Sequence, residues 1–355
     1  MKIIHCADLH LGAKMTTNLS PSQALKRRNE LLQNFDRLAQ YAKMHNVKFI
    51  IIAGDLLDTD NATISTRDYI FNVMREYNEI TFIYLCGNHD KNSVLRLSKE
   101  MPKNLFNFSN CWQSFDCGED VVVWGKEDGL NHKDYQDLKL NPNNFNIVTL
   151  HGQEFVGQKQ DGDIINLKAL QNKNINYLAL GHIHSFKAEK LDQNGIYAYS
   201  GCLEGRGFDE CGQKGFVLLD INNKKLNYSF IPFGLREYQE VDVDITNCFG
   251  FHQILQKCND AILNIGANNI VRINLCGTYT PQTDKSLNLL KDELSRHFFA
   301  FEIKDKSTLF LDPKDYQNDV SLVGEFIREV QASDLDEQTK ADVITLGLKM
   351  LKEAK

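Results

Sequence analysis

The chain is expected to fold as an α/β protein with parallel strands joined by helical crossovers. Two observations predict this fold. The first 90 residues read strand, helix, strand, helix, strand, and five short apolar runs each end in a block of metal-ligand residues. The runs cover residues 3–7, 49–53, 82–85, 147–150 and 177–180. The blocks that follow them are Asp8-Leu9-His10, Gly54-Asp55-Leu56-Leu57-Asp58, Leu85-Cys86-Gly87-Asn88-His89-Asp90, His151-Gly152 and Gly181-His182-Ile183-His184. In an α/β sheet the chemistry sits beyond the carboxyl ends of the strands, so the five blocks are expected to converge on one place.

After the first strand, a polar loop over residues 13–22 leads to a helix over 23–46. Its apolar positions, Leu25, Leu32, Phe35, Leu38, Ala39 and Ala42, follow helical spacing. A strand over 47–53 follows, then a helix over 65–77 and the strand before Asn88. Between 92 and 146 the signals shorten: Leu95, Leu97, Met101 and Leu105 suggest a helix, and 121–124 a strand. A loop rich in Gly, Gln and Asp over 152–164 and a helix near 166–173 separate the fourth and fifth strand-and-block units. Residues 196–199, 215–221 and 226–232 read as antiparallel strands bounded by Asn-Gly and Asn-Asn turns.

A different pattern starts near 236. Strands at 241–245, 270–276 and 299–303 alternate with helices at 251–265 and 285–298, a small α+β unit. Two amphipathic helical stretches close the chain, at 319–330 and 334–352. The second places Val343, Leu346, Gly347, Met350 and Leu351 on one face, which would pack on its own domain or dock on a partner. The expected domains are therefore 1–235, 236–312 and 313–355.

The composition, 42% hydrophobic and 25% charged over 355 residues, is that of an ordinary globular protein with room for two domains. The opening apolar run is too short for a secretory signal, and no stretch approaches the ~18 apolar residues of a membrane span. The expected location is the cytoplasm, with no membrane partner. Nine cysteines, without a Cys-x-x-Cys pair, read as reduced core thiols. The net charge of −7 argues against a chain-wide electrostatic grip on nucleic acid, although bound metal ions and placed cations would still make a local one.

Five of the ten histidines, His10, His89, His151, His182 and His184, fall in the blocks. A single Asp-x-His or Gly-His-x-His is common by chance; five blocks in order, each at a strand end, are not. Imidazole and carboxylate ligands suit manganese, iron or zinc, and the absence of cysteine from most of the blocks disfavours an all-thiolate structural zinc site. His5, His45, His132, His252 and His297 match no motif and read as structural.

The order Asp-x-His, Gly-Asp-x-x-Asp, Gly-Asn-His-Asp, His-Gly, Gly-His-x-His resembles that of the calcineurin-like metallophosphoesterases. That resemblance implies a two-sheet α/β sandwich. It places Asp8, His10, Asp55 and His184 on one divalent ion and Asp55, Asn88, His151 and His182 on a second, with Asp55 bridging. It makes His89 the general acid, oriented by Asp90. Two ions contribute +4 against −2 from Asp8 and Asp55, and the surplus favours a phosphate; such ions sit roughly 3.5–4 Å apart and clamp an in-line displacement.

Outside the metal blocks, residues 199–208 (Tyr-Ser-Gly-Cys-Leu-Glu-Gly-Arg-Gly-Phe) and 214–218 are similar to the SbcD/Mre nuclease branch and its YhaO-like bacterial relatives. Asp58 stands where archaeal and eukaryotic Mre relatives carry a His, which matches the bacterial pattern. This narrower resemblance implies a manganese-dependent DNA exonuclease, with endonuclease action as an extension, in DNA repair or recombination. The α+β unit becomes a cap, and the implied partners are DNA, an SbcC-type coiled-coil ATPase of the SMC-like class and a second copy of the chain. Arg206 and Arg236 are the expected phosphate contacts. Two alternatives stand beside it: a phosphatase or phosphodiesterase acting on a nucleotide or other small ester, and a non-catalytic scaffold.

Overall fold

Each short strand near the start of the chain is buried on both faces, which is why it reads as an unbroken apolar run. The computed structural model describes residues 1–58, 61–87, 90, 100–155, 164–280, 283–310 and 316–353. These form two units, Met1–Tyr238 and Gln239–Lys355.

The first unit opens β1 (Lys2–Cys6), α1 (Pro21–Met44), β2 (Phe49–Ala53), α2 (Ile64–Glu76), β3 (Thr81–Leu85) and β4 (Leu105–Asn107). It continues β5 (Gln113–Gly118), β6 (Val121–Gly125), α3 (His132–Asp137), β7 (Phe145–His151), β8 (Gln153–Phe155), β9 (Ile164–Asn166) and α4 (Leu167–Leu170). It ends with β10 (Tyr177–Gly181), β11 (Lys187–Lys190), β12 (Ile196–Tyr199), β13 (Gly215–Asn222) and β14 (Lys225–Pro232). One sheet has the order β14-β13-β1-β2-β3-β4, the other β11-β12-β10-β7-β6-β5. The pairs β1–β2, β2–β3, β3–β4, β6–β7, β7–β10 and β10–β12 are parallel, while β13, β14, β11 and β5 add antiparallel margins.

Alternation within the strands builds the layers. Ile3, Ile51 and Ile83 of one sheet meet Val123, Ile147, Tyr177 and Ala179 of the other in a central core. The opposite faces, Ile4, Ile50, Ile52 and Phe82, pack on Leu31, Phe35 and Leu38 of α1 and on Ile70, Phe71 and Met74 of α2. On the far side, Val148, Leu150, Leu178 and Leu180 pack on Leu167 and Leu170 of α4 and Tyr135 of α3. The result is a two-sheet α/β sandwich. Helix α1 is capped by Ser20, whose hydroxyl accepts from the Gln23 amide while the Gln23 side chain accepts from the Ser20 amide.

Several local expectations give way. Leu105, expected in a helix, starts β4, pairing with Phe82; Pro102 biases the residue before it towards extended backbone. Residues 91–99, which include Leu95 and Leu97, lie outside the described residues. The helix expected over 166–173 is the single turn α4, and Leu25 of α1 is exposed.

His5 is buried in the central core, with Nδ1 2.8 Å from Tyr177 Oη. Burial pushes its pKa down from 6.5 to about 3. Between those values the unfolded chain binds a proton that the folded chain refuses, so this residue's contribution to stability is lost as pH falls through that window. The expected slope from His5 alone is about 1.4 kcal/mol per pH unit. Urea unfolding followed by the fluorescence of Trp112 and Trp124, both in the first unit, checks it: His5→Phe should flatten the pH dependence by one proton. An unchanged slope would refute a neutral buried His5.

The second unit contains a sheet of order β15-β16-β18 (Tyr238–Asp244, Ile270–Cys276, Ala300–Asp305) and a small pair, β17 (Thr278–Tyr279) and β19 (Thr308–Leu309). Helices α5 (Phe251–Ile262) and α6 (Leu287–Leu294) supply Ile254, Cys258, Leu290 and Leu294 to a core with Val243, Val271 and Ile273. Helices α7 (Leu322–Ala332) and α8 (Glu337–Glu353) pack through Ile327, Ile344 and Leu348. The face expected on the last helix therefore divides: Gly347 lies against Phe326, whereas Leu346 and Met350 stay 61% and 63% exposed. Among the described residues no helix is long and apolar enough to cross a membrane.

Candidate metal centre

Parallel pairing sends the carboxyl ends of β1, β2 and β3 in one direction and those of β7 and β10 likewise in the facing sheet. Asp8 and His10 follow β1, Asp55 follows β2, His151 ends β7, and His182 and His184 follow β10. Their ligand atoms form two overlapping groups, Asp8 with His10 and His184, and Asp8 with Asp55 and His151, each within 4.8 Å. Asp55 Oδ2 stands 3.4 Å from His151 Nε2 and 3.8 Å from His10 Nε2. His10 Nε2 is 3.3 Å from His184 Nε2, and the His182 ring meets the His151 ring edge-on at 5.4 Å. Asn88 and His89 lie outside the described residues.

The backbone is bent to reach this arrangement. Asp8, His10, Asp55 and His182 have φ of 53°, 44°, 51° and 102°, conformations that cost energy for residues with a side chain and cluster at functional sites. The glycines of the blocks have a steric cause. A Cβ on Gly54 would stand 2.1 Å from His151 Nδ1, and one on Gly181 would stand 1.9 Å from the Ala53 carbonyl oxygen. Two strand ends from different sheets approach too closely for any side chain there.

Hydrogen bonds aim the side chains. The amide of His182 donates to both Asp8 oxygens at 3.0 Å. His151 Nδ1 lies 2.9 Å from the Ala53 carbonyl and His184 Nδ1 lies 2.7 Å from Glu210 Oε1, which directs each Nε2 inward. Asp90 does something the sequence did not suggest. Its buried carboxylate accepts from the amides of Leu56, Leu57 and Gly87 at 3.0, 2.8 and 3.2 Å, which clamps the loop that presents Asp55.

The electrostatics follow from burial and crowding. Burial, with Asp55 adding to it, raises Asp8 to about 6 against the opposing pull of His151 and His184. Burial and the nearby Asp55 raise Asp90 to about 6. Burial works against charge on His151, but its hydrogen bond to Asp55 and the charges of Asp55 and Asp8 outweigh that and raise it to about 9. Two buried carboxylates surrounded by inward imidazole nitrogens form a donor set with an excess of negative charge and lone pairs. Divalent cations fit it, and oxygen and nitrogen donors without thiolate fit manganese, iron or zinc.

Residues 1–186, just over half the chain, match the model of the calcineurin-like phosphoesterases. The chain belongs to that family. This phosphoesterase is accordingly a metal-binding hydrolase of phosphate esters, in a family that works with two divalent ions. It is 23% identical over an alignment 372 positions long to the DNA double-strand break repair protein Mre11 of Sulfolobus acidocaldarius, covering 97% of this chain and 94% of that one. It is 24% identical to the uncharacterized metallophosphoesterase YhaO of Bacillus subtilis, covering 78% of this chain and 72% of the relative. The SbcD component of the nuclease SbcCD of Staphylococcus epidermidis is 25% identical, with 69% of this chain and 73% of the relative covered.

The two arginines singled out in the sequence part company. Arg206 stands beside the centre: its guanidinium donates to Glu210 Oε1 at 2.8 Å, and Nη2 is 3.1 Å from His184 Nδ1. Arg236 is 7% exposed and donates through Nε and Nη2 to the Glu30 carboxylate at 2.9 and 2.6 Å, an ion pair within the first unit. Sequence reading of the phosphoesterase missed Glu210 and Lys214, whose Nζ donates to the His184 carbonyl at 2.8 Å. Lys214 opens the second stretch that resembles nucleases, whereas Glu210 falls between the two stretches and carries no local signal.

Proposed function

We propose that this phosphoesterase is a two-metal, manganese-dependent DNA exonuclease, with endonuclease action as an extension, working in cytoplasmic DNA repair or recombination with an SbcC-type coiled-coil ATPase. The observation that carries the proposal is the reach of the similarity to the Mre11 repair protein, which runs through the second unit and far beyond the 186 residues of the family model. A small-molecule phosphatase of the same family has no need of that second unit. In this reading residues 1–235 are the nuclease domain, 236–312 cap it for DNA, and 313–355 dock the partner.

Asp8, His10, Asp55 and His184 would hold one ion and Asp55, Asn88, His151 and His182 the other. When bound, the pair supplies an activated water and a clamp on the attacking and leaving oxygens of the phosphodiester. The protein's own groups do the rest. Asp55 and Asp8 are buried and preorganised by Asp90 and the His182 amide, so little reorganisation accompanies the reaction. His89, adjacent to the ligand Asn88, would give its proton to the leaving 3′ or 5′ oxygen. Arg206 sets a positive charge beside the centre, where a phosphate arrives.

Purified protein on 5′- and 3′-labelled linear DNA, with manganese, magnesium or zinc, tests the reading. Cleavage with manganese that stops on chelation is expected. Rapid turnover of p-nitrophenyl phosphate with intact DNA would replace it by the small-ester hydrolase; neither activity with both ions bound would leave a scaffold.

A further inference from the structure

We infer that Glu210 is the positioning residue of the metal centre: its carboxylate fixes the tautomer and aim of His184, and Arg206 holds that carboxylate in place. The inference rests on His184 being a metal ligand, as proposed above.

Glu210 closes a short turn, Phe208–Glu210, and is buried. Both its oxygens are engaged. Oε1 lies 2.7 Å from His184 Nδ1 and receives Arg206 Nη2 at 2.8 Å and Nε at 3.2 Å. Oε2 receives the Arg206 amide at 2.8 Å and faces the Cys202 thiol at 3.8 Å. A carboxylate at that distance from Nδ1 requires a ring proton on Nδ1, and in the neutral ring this leaves the lone pair on Nε2. Nε2 is the atom directed at His10 Nε2 and grouped with Asp8. Arg206 Nη2, also close to Nδ1, has only protons to offer, so its partner is the carboxylate and not the ring. From the other side Lys214 holds the His184 carbonyl.

The centre is thus braced unequally. His151 leans on a neutral backbone carbonyl, whereas His184 leans on an anion. A carboxylate behind a ligating imidazole makes it more basic and orients it, and the loss of such a partner typically costs 10–100-fold in metal affinity. The cost should fall on the His184 side alone.

The test uses the full chain. Manganese titration by calorimetry is run on wild type, Glu210→Gln and His184→Ala, with thermal unfolding as a folding control. The histidine tautomers are read by long-range 1H–15N NMR correlation of the metal-free protein. Wild type should bind two ions and show His184 protonated on Nδ1. Glu210→Gln, nearly isosteric, should weaken one of the two sites at least fivefold, leave the other unchanged and shift His184 towards a mixture of tautomers. A purely structural Glu210 would lower the unfolding temperature without selecting one site. If both affinities stay within less than fivefold, or the tautomer does not move, the inference is overturned. If His184→Ala still binds two ions at wild-type strength, the ligand reading itself fails, which is a separate result.

Discussion

Replacing Asp55 by Asn is expected to lower kcat/KM for phosphodiester hydrolysis by about 10³-fold or more, equivalent to about 4 kcal/mol of transition-state stabilisation. The position makes the substitution clean. Asp55 is almost fully buried and stands in the left-handed region at φ 51°, a conformation that Asn accepts as readily as Asp, so the loop should keep its shape. What changes is charge. Asp55 Oδ2 lies between His151 Nε2 and His10 Nε2, and an anion there would serve two cations at once. A neutral amide offers one weak oxygen and turns an NH2 group towards ligands that must accept a metal. Metal stoichiometry measured beside the rates separates a lost ion from a misplaced one. Near-normal turnover with manganese would refute the bridge.

The sequence made the centre legible because parallel strands buried on both faces leave an unmistakable apolar run, and the chain changes character abruptly where each one ends. Ile50, Ile51, Ile52 and Ala53 announce both the strand and the place where Asp55 emerges. Edge strands leave no such trace. Gln113–Gly118 and Lys187–Lys190 are mostly polar and partly exposed, held by neighbours that the local pattern does not name. Leu105 misled because two apolar residues four apart, Met101 and Leu105, suit a helix as well as the approach to a three-residue strand. On α8 the apolar residues ring the helix, and only the packing of Ile344 and Leu348 on α7 decides which face is inside.

The site divides in the same way. Residues that terminate strands could be found, since position and type coincide. Residues that act through others could not. Glu210 is one acidic side chain in a glycine-rich turn, 26 positions after His184, and nothing along the chain connects the two. The pairing of Arg236 with Glu30 spans 206 positions and is equally invisible along the chain. A charged side chain advertises chemistry in a sequence; burial decides whether that chemistry faces the substrate or the fold.

Arg27 puts that distinction to its strongest test, and Arg27→Met is expected to destabilise the first unit by about 3–5 kcal/mol. Its guanidinium is completely buried. It donates to Glu30 Oε2 and Glu204 Oε2, both at 2.9 Å, and to the Gly205 carbonyl at 3.0 Å. Asn34, two turns along α1, donates to Glu204 Oε1 at 3.0 Å, and Arg236 covers Glu30. Methionine fills much of the same volume, so the loss comes from Glu204, left as a buried anion without its counter-charge. Burial already raises the Glu204 carboxyl, and Arg27 is the largest influence opposing that. Without Arg27 it should rise further, so the folded variant holds a proton that the unfolded chain has released. Between the unfolded and the raised folded value, stability then falls as pH rises, and the deficit against wild type should shrink in acid. Urea unfolding followed by the two tryptophans at pH 5 and pH 8 measures both effects. A deficit below about 1 kcal/mol at pH 8 would mean that solvent or rearrangement replaces the lost pair. Adding Glu204→Gln to the variant should recover part of the stability, because it removes the stranded charge and keeps the shape. The segment at stake runs from Glu204 into Arg206 and Glu210, so the same substitution should also loosen the brace behind His184.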